Sequence, residues 1–202
     1  MKKATSRSSP GESSGQPLAQ AISPVYYRTK AAYVLWMLRD IVGDDALGAA
    51  LRESIAGTHS PAESKSDSPS PFQAALKTAA PRQNLTWLFA DWIDADHGLP
   101  DLTIDKVFPN AVQSGNWLTS VTIANGGYAA AEVPVTVRSA TNNATDWVLV
   151  PAHGTVTQRV LVQGQPTEVQ VNDGTIPETQ ASVHVMHLDQ PQPKQDSSLA
   201  PQ

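Results

Sequence analysis

The chain has 202 residues, 40% of them hydrophobic and 16% charged, with a formal net charge of −5, which bounds it to a globular protein of one or two domains. Its 14 Lys and Arg residues form no basic stripe, so nucleic acid is excluded as a partner. With no cysteine, it has no disulfide framework, no thiolate metal site and no thiol nucleophile.

Met1-Lys2-Lys3 begins as a signal peptide does, but Ala4 to Gln20 is rich in Ser, Gly, Pro and Gln and has no apolar core region. The chain as it stands is therefore expected in the cytoplasm, and no stretch is long enough to span a membrane. Residues 1–22 lack periodicity and are expected to be disordered.

From Ala31 to Leu38 eight apolar residues follow without a polar interruption, closed by Arg39-Asp40 and stopped by Gly43. A helix there is apolar all round, which predicts a place at the centre of a large core. Asp44-Asp45 cap a second helix with Ala46, Leu47, Ala50 and Leu51 on one side. Residues 57–70 form a polar loop. Ser70-Pro71-Phe72-Gln73 supplies an N-cap, a proline at the first helical position and a Gln at N3, and Pro81 closes that helix. Asn84 caps another, in which Leu85, Leu88, Phe89 and Trp92 recur at helical spacing; Gly98 is expected to end it as the C′ residue, with Pro100 beyond.

After Pro100 the period changes to two. Strands are expected near residues 101–107, 116–124, 130–138, 146–150, 155–163, 167–172 and 182–188. Asn125-Gly126-Gly127 and Asn172-Asp173-Gly174 have the composition of hairpin turns. The expected fold is α+β and multidomain: a disordered segment 1–22, a helical unit 23–99, an antiparallel β-sandwich of immunoglobulin or fibronectin type III character over 100–188, and a disordered tail 189–202.

Two patches together resemble a known family. Lys30-Ala31-Ala32-Tyr33-Val34-Leu35-Trp36-Met37-Leu38-Arg39-Asp40-Ile41-Val42-Gly43-Asp44 is similar to the helix after the zinc site in M1 family (gluzincin) aminopeptidases. Phe72 through Leu102, with the Leu85 to Ile93 run and then Gly98-Leu99-Pro100-Asp101, resembles the closing helix and exit strand of the same catalytic domain. The resemblance implies the C-terminal portion of a zinc metallopeptidase, inactive alone. The His-Glu-x-x-His segment that binds zinc and the Gly-x-Met-Glu-Asn segment are both absent. It further implies that zinc belongs to the full-length enzyme and not to this chain, that the partner is the missing N-terminal catalytic part, that a peptide substrate binds only in that context, and that the parent enzyme is exported or membrane-associated.

By the same resemblance Tyr27 is the candidate oxyanion stabiliser and Tyr26 the second choice. Tyr27 lies three residues before Lys30 instead of two, Arg28 takes the strict position, and Ala31 stands where the family has Gly. The competing reading makes both tyrosines boundary aromatics packed under a loop. The other function class is a non-catalytic binding or scaffolding module whose sandwich recognises a partner.

Other polar groupings favour structural explanations. His184 and His187 lie three apart in a strand and therefore on opposite faces. Asp94, Asp96 and His97 form a solvated helix end, and His59 and His153 lie in loops without partners. No Ser occupies a nucleophile-elbow sequence, and Trp87, Trp92, Trp117 and Trp147 are expected in the core.

Overall fold

The computed structural model describes residues 17–57 and 70–188; the 57–70 loop, His59 and the 189–202 tail lie wholly or almost wholly outside them. Within the segment expected to be disordered, Leu18–Gln20 form a 3-10 turn. Helix α1 spans Pro24–Val42. Ser23 caps it by accepting the Tyr26 N–H on its hydroxyl, and Pro24, which has no N–H to leave unpaired, occupies the first turn. Gly43 ends it at φ 84°, a left-handed conformation that favours glycine.

Only one stripe of α1 is buried: Val34, Met37 and Leu38 join the core, while Tyr33, Leu35 and Trp36 are exposed. The expectation of an all-round buried helix is thus corrected. The unbroken apolar run conceals two faces, and neighbouring elements cover one of them.

Helix α2 (Asp44–Gly57) buries Leu47 and Ala50, and α3 (Pro71–Ala79) buries Ala75 and Leu76. The Ser70 cap forms as expected, its hydroxyl 3.2 Å from the Gln73 nitrogen. Next comes a single turn, α4 (Thr86–Leu88), which passes directly into a π-helical turn, Phe89–Asp94. The side chain of Asn84 accepts the Thr86 N–H at 3.2 Å.

The π turn ends at Ala95, whose N–H donates to the Ala90 carbonyl at 3.1 Å, and the His97 N–H reaches the Asp91 carbonyl at 3.2 Å. Gly98, at φ 96°, lies beyond the helix and redirects the chain, so it is not the C′ residue expected from sequence. A π turn rotates less per residue than the roughly 100° of an α-helix. Consecutive residues can therefore address one target. Asp91 accepts the Ala130 N–H at 2.8 Å, and the Trp92 indole N–H donates to the Ala130 carbonyl at 3.0 Å.

Among the described residues seven strands follow: β1 (Leu102–Ala111), β2 (Asn116–Asn125), β3 (Ala131–Ser139), β4 (Asn143–Val150), β5 (Thr155–Gln163), β6 (Pro166–Val171) and β7 (His184–His187). They build two antiparallel sheets, β1-β2-β5 and β4-β3-β6-β7, which makes the chain α+β. All seven coincide with strands expected from alternation. Val121 and Ile123 of one sheet and Val133, Val135, Val137, Val169 and Val171 of the other belong to one buried core with the helices.

Asn125-Gly126-Gly127 is not a hairpin turn, because β2 pairs with β1 and β5 while β3 belongs to the other sheet. The segment crosses between sheets and closes on the linker from the helices. Asn125, 3% exposed, accepts the N–H groups of Asp101 and Gly127 on its side-chain oxygen and donates to the Ala129 and Pro151 carbonyls. A Cβ at Gly127 would stand 2.4 Å from the Leu99 carbonyl oxygen and 2.6 Å from the Asp101 nitrogen. Both are backbone atoms that cannot swing aside. Gly127→Ala is accordingly expected to cost about 1–3 kcal/mol, measured as a lower urea midpoint at unchanged slope; an unchanged midpoint would show that the linker is not packed as described.

Candidate functional site

The linker that joins helices to sheets is held from two sides. From one, Gly126 and Tyr128 donate their N–H groups to Asp101 and Leu99; from the other, Thr179 donates to Pro100 and the Glu178 carboxylate accepts the Leu102 N–H at 2.8 Å. Glu178 also accepts from the Asn172 amide at 2.8 Å and lies 2.9 Å from His184 Nε2. Its side chain is fully buried, so these partners replace the water it has lost.

Between the first turns of α1, residues 96–99 and the loop between β6 and β7 lies a cavity of about 840 Å³. Tyr26, Lys30, Tyr33, Trp92, Asp96 and Glu178 line it. A second hollow of about 640 Å³ continues along α1 past Ala32, Tyr33 and Trp36, facing Asp173, Gly174 and Thr175; the two share Thr29 and Tyr33. Together they form a groove with α1 on one side and the 172–183 loop on the other.

Tyr26, Lys30 and Asp96 form a closed polar cluster at the near end. The Tyr26 hydroxyl donates to Asp96 Oδ2, the Lys30 ammonium lies 2.9 Å from Asp96 Oδ1 and 3.3 Å from the Tyr26 oxygen, and the Gly98 N–H donates to Asp96 Oδ1 at 3.2 Å. Burial, reinforced by the hydrogen bond to Asp96 and its negative charge, pushes the Tyr26 phenol up to about 12. For Asp96, burial alone would raise the carboxyl, but the Tyr26 hydrogen bond, Lys30 and the Gly98 N–H together hold it below the ordinary carboxylate range. Asp96 is thus an ion-paired anchor and not a solvated helix end.

Tyr27 does not line the cavity; the Arg28 guanidinium stands 6.0 Å from its ring centroid. The oxyanion role of either tyrosine was an implication of the peptidase resemblance. What Tyr26 has in the structure is a phenol proton committed to Asp96. His184 and His187 address different carboxylates, Glu178 and Glu168, from opposite faces of β7. His97 lies 3.3 Å from Asp91, Asp94 is exposed, and the His153 ring meets Tyr128 edge-on at 4.5 Å. Trp87 and Trp92 are buried, Trp117 is partly buried and Trp147 is 40% exposed. Among the described residues no group of three or more His, Asp or Glu could hold a metal ion, and no helix is long and apolar enough to cross a membrane.

No family model and no curated protein matches the chain. Among solved structures it is similar to a β-glucosidase from Streptomyces venezuelae determined with D-glucose, at 15% identity and TM-score 0.27, over 46% of this chain and 16% of that one. It is also similar to a GH3 β-glucosidase of Bifidobacterium adolescentis, at 19% identity and TM-score 0.26, over 50% of this chain and 19% of that one. The chain thus spans less than a fifth of either, and likeness at this level carries neither reaction nor substrate.

These findings correct the assignment to the M1 zinc aminopeptidases, and with it zinc-dependent peptide hydrolysis: neither a family model nor a curated protein supports it, and the solved structures named are glycosidases. The residues that carried the resemblance have local explanations. Tyr26 and Lys30 go to Asp96, Asp91 and Trp92 go to Ala130, and Leu99 to Asp101 form the clamped linker.

Sequence reasoning overlooked Glu178 and the groove. The groove side of α1 was nonetheless visible in the spacing Tyr26, Thr29, Tyr33, Trp36, Asp40, which alternates threes and fours along one face. The near-end cluster makes two measurable statements about pH. The raised Tyr26 value means its contribution to stability is complete below pH 10 and is lost as pH rises toward 12. The lowered Asp96 value means its contribution is present above the ordinary aspartate range and is lost as acid protonates the folded-state carboxyl. Near-ultraviolet titration is expected to show a tyrosine ionising near 12, and Asp96→Asn to lower that value by removing the hydrogen bond and the negative charge while burial remains; a wild-type titration with no tyrosine ionising near 12 would refute the cluster.

Proposed function

We propose that this chain is a non-catalytic recognition module, in which a fibronectin-type β-sandwich supports a helical cap whose helix α1 is the contact surface for another protein. The strand order supports the first half of this reading. Three strands, β1-β2-β5, face four, β4-β3-β6-β7, an arrangement typical of such sandwiches, and the loops at one end of the sandwich grip the linker from the helices. The division near residue 100 into a helical unit and a sandwich belongs to the same proposal.

The observation that carries the second half is the outer face of α1. Tyr33 is 50% exposed and Trp36 56% exposed on a helix whose opposite face is sealed, and Val25 at its start is 76% exposed. Large aromatic residues side by side at a surface are typical of protein contact sites. The face is held rigid by the caps at Ser23 and Gly43, so little order has to be created on binding.

The neutral dye Nile red tests this reading on the full chain. The wild-type protein is expected to enhance its fluorescence, and Tyr33→Ser with Trp36→Ser to remove at least about half of that signal. Because both side chains lie on the surface, melting should change little, by about 0.5 kcal/mol per site. If the double variant kept the whole dye signal, α1 would not be the contact surface.

A further inference from the structure

The groove has a charge pattern of its own. Its near end is engaged internally, with Lys30 paired to Asp96 and Glu178 in contact with His184. Its far end is not. Asp173 stands in the wall facing Tyr33 and Trp36, and Asp40, exposed and outside the lining of the hollow, follows Trp36 by one helical turn at the spacing that puts side chains on one face. Neither carboxylate has an ion-pair partner among the described residues. The cation of α1 closest in sequence, Arg39, lies 5.4 Å from the Trp36 ring centroid and gives its hydrogen bond to Asp44 at 2.7 Å.

Asp40 and Asp173 also sense each other: burial, and then the charge of Asp173, raise the Asp40 carboxyl above its ordinary range, and Arg39 only partly offsets this. A cation entering between them would relieve that repulsion. The wall that carries Asp173 is preformed. Asn172, fully buried at φ 57°, accepts the N–H groups of Asp173, Gly174 and Ile176 on one side-chain oxygen and donates to the Ile176 carbonyl and to Glu178. The Thr175 N–H in turn donates to Asp173 Oδ1 at 3.0 Å, leaving the other carboxylate oxygen for a ligand.

We propose that this groove binds an extended segment of a partner protein and takes an arginine or lysine side chain from it, with the cation between Asp173 and Asp40 and its stem along Tyr33 and Trp36. Aromatic faces flanking a carboxylate provide both cation–π attraction and charge pairing. The same acidic end disfavours anionic lipid and nucleic acid. The inference rests on the reading of α1 as a contact surface and adds the chemistry of what it contacts.

The test is a titration of the isotope-labelled full chain with two blocked pentapeptides, one alternating leucine with arginine and the other leucine with glutamate, followed by amide shifts. The arginine peptide is expected to bind saturably, to shift amides in 33–40 and 173–175, and to weaken as salt is raised. Asp173→Asn keeps the acceptor for Thr175 and should melt like the wild type, yet bind the arginine peptide roughly three- to tenfold more weakly. Equal binding of both peptides, shifts confined to other surfaces, or unchanged affinity in Asp173→Asn would overturn the proposal. The two readings fail separately: dye binding that depends on Tyr33 and Trp36, without preference for the arginine peptide, retains the contact surface and removes only its cation specificity.

Discussion

Two residues adjacent in sequence, Asp91 and Trp92, hold both polar groups of one residue, Ala130, and through it join the helices to the sheets. The bond to a carboxylate and the bond from an indole are worth together a few kcal/mol at most, but their geometric consequence is larger. The chain winds as a π turn from Phe89 to Asp94, and from that turn both side chains reach the one residue. That turn sets where the linker leaves, and so where α1 lies over the 172–183 loop.

Buried polar side chains complete the scaffold. Asn125, Asn172 and Glu178 each satisfy several backbone groups of irregular chain and are almost fully enclosed. Loops cannot pair their own N–H and C=O groups as strands do, so a buried loop needs such hubs. Networks of this kind strengthen cooperatively in a low-dielectric interior and tolerate no missing member. Here Asn172 and Glu178 tie the groove wall opposite α1 together through hydrogen bonds, without a disulfide in a chain that has no cysteine.

Helix α1 therefore has two apolar stripes with different roles. Val34, Met37 and Leu38 are sealed in the core, and each fully buried side chain contributes about 1.5–3 kcal/mol relative to exposure. Tyr33 and Trp36 face solvent and contribute little to the stability of the isolated chain. Retaining large aromatic surface in water has a physical rationale if a partner covers it. The charges around the stripe, with Lys30 engaged and Asp40 and Asp173 without ion-pair partners among the described residues, distinguish it from a nonspecific apolar patch.

The sequence by itself determined what depends on near neighbours: the helix caps at Ser70 and Gly43, the seven alternating strands, and the division between a 3.6-residue and a two-residue period. Each rests on backbone geometry over a few residues, which side-chain order records directly. Strand partners were not legible, because Asn125-Gly126-Gly127 has the composition of a tight turn whether it joins paired strands or crosses between sheets. Nor was the winding of Phe89–Asp94, whose Trp92 and Asp91 side chains bond to Ala130, 38 and 39 residues away. The resemblance to zinc peptidases rested on apolar spacing and capping residues, features that any helix packed on a sheet can share. The eight-residue apolar run of α1 showed how much of the helix could be buried; only the tertiary structure decided which side was, because burial is set by what the rest of the chain brings alongside.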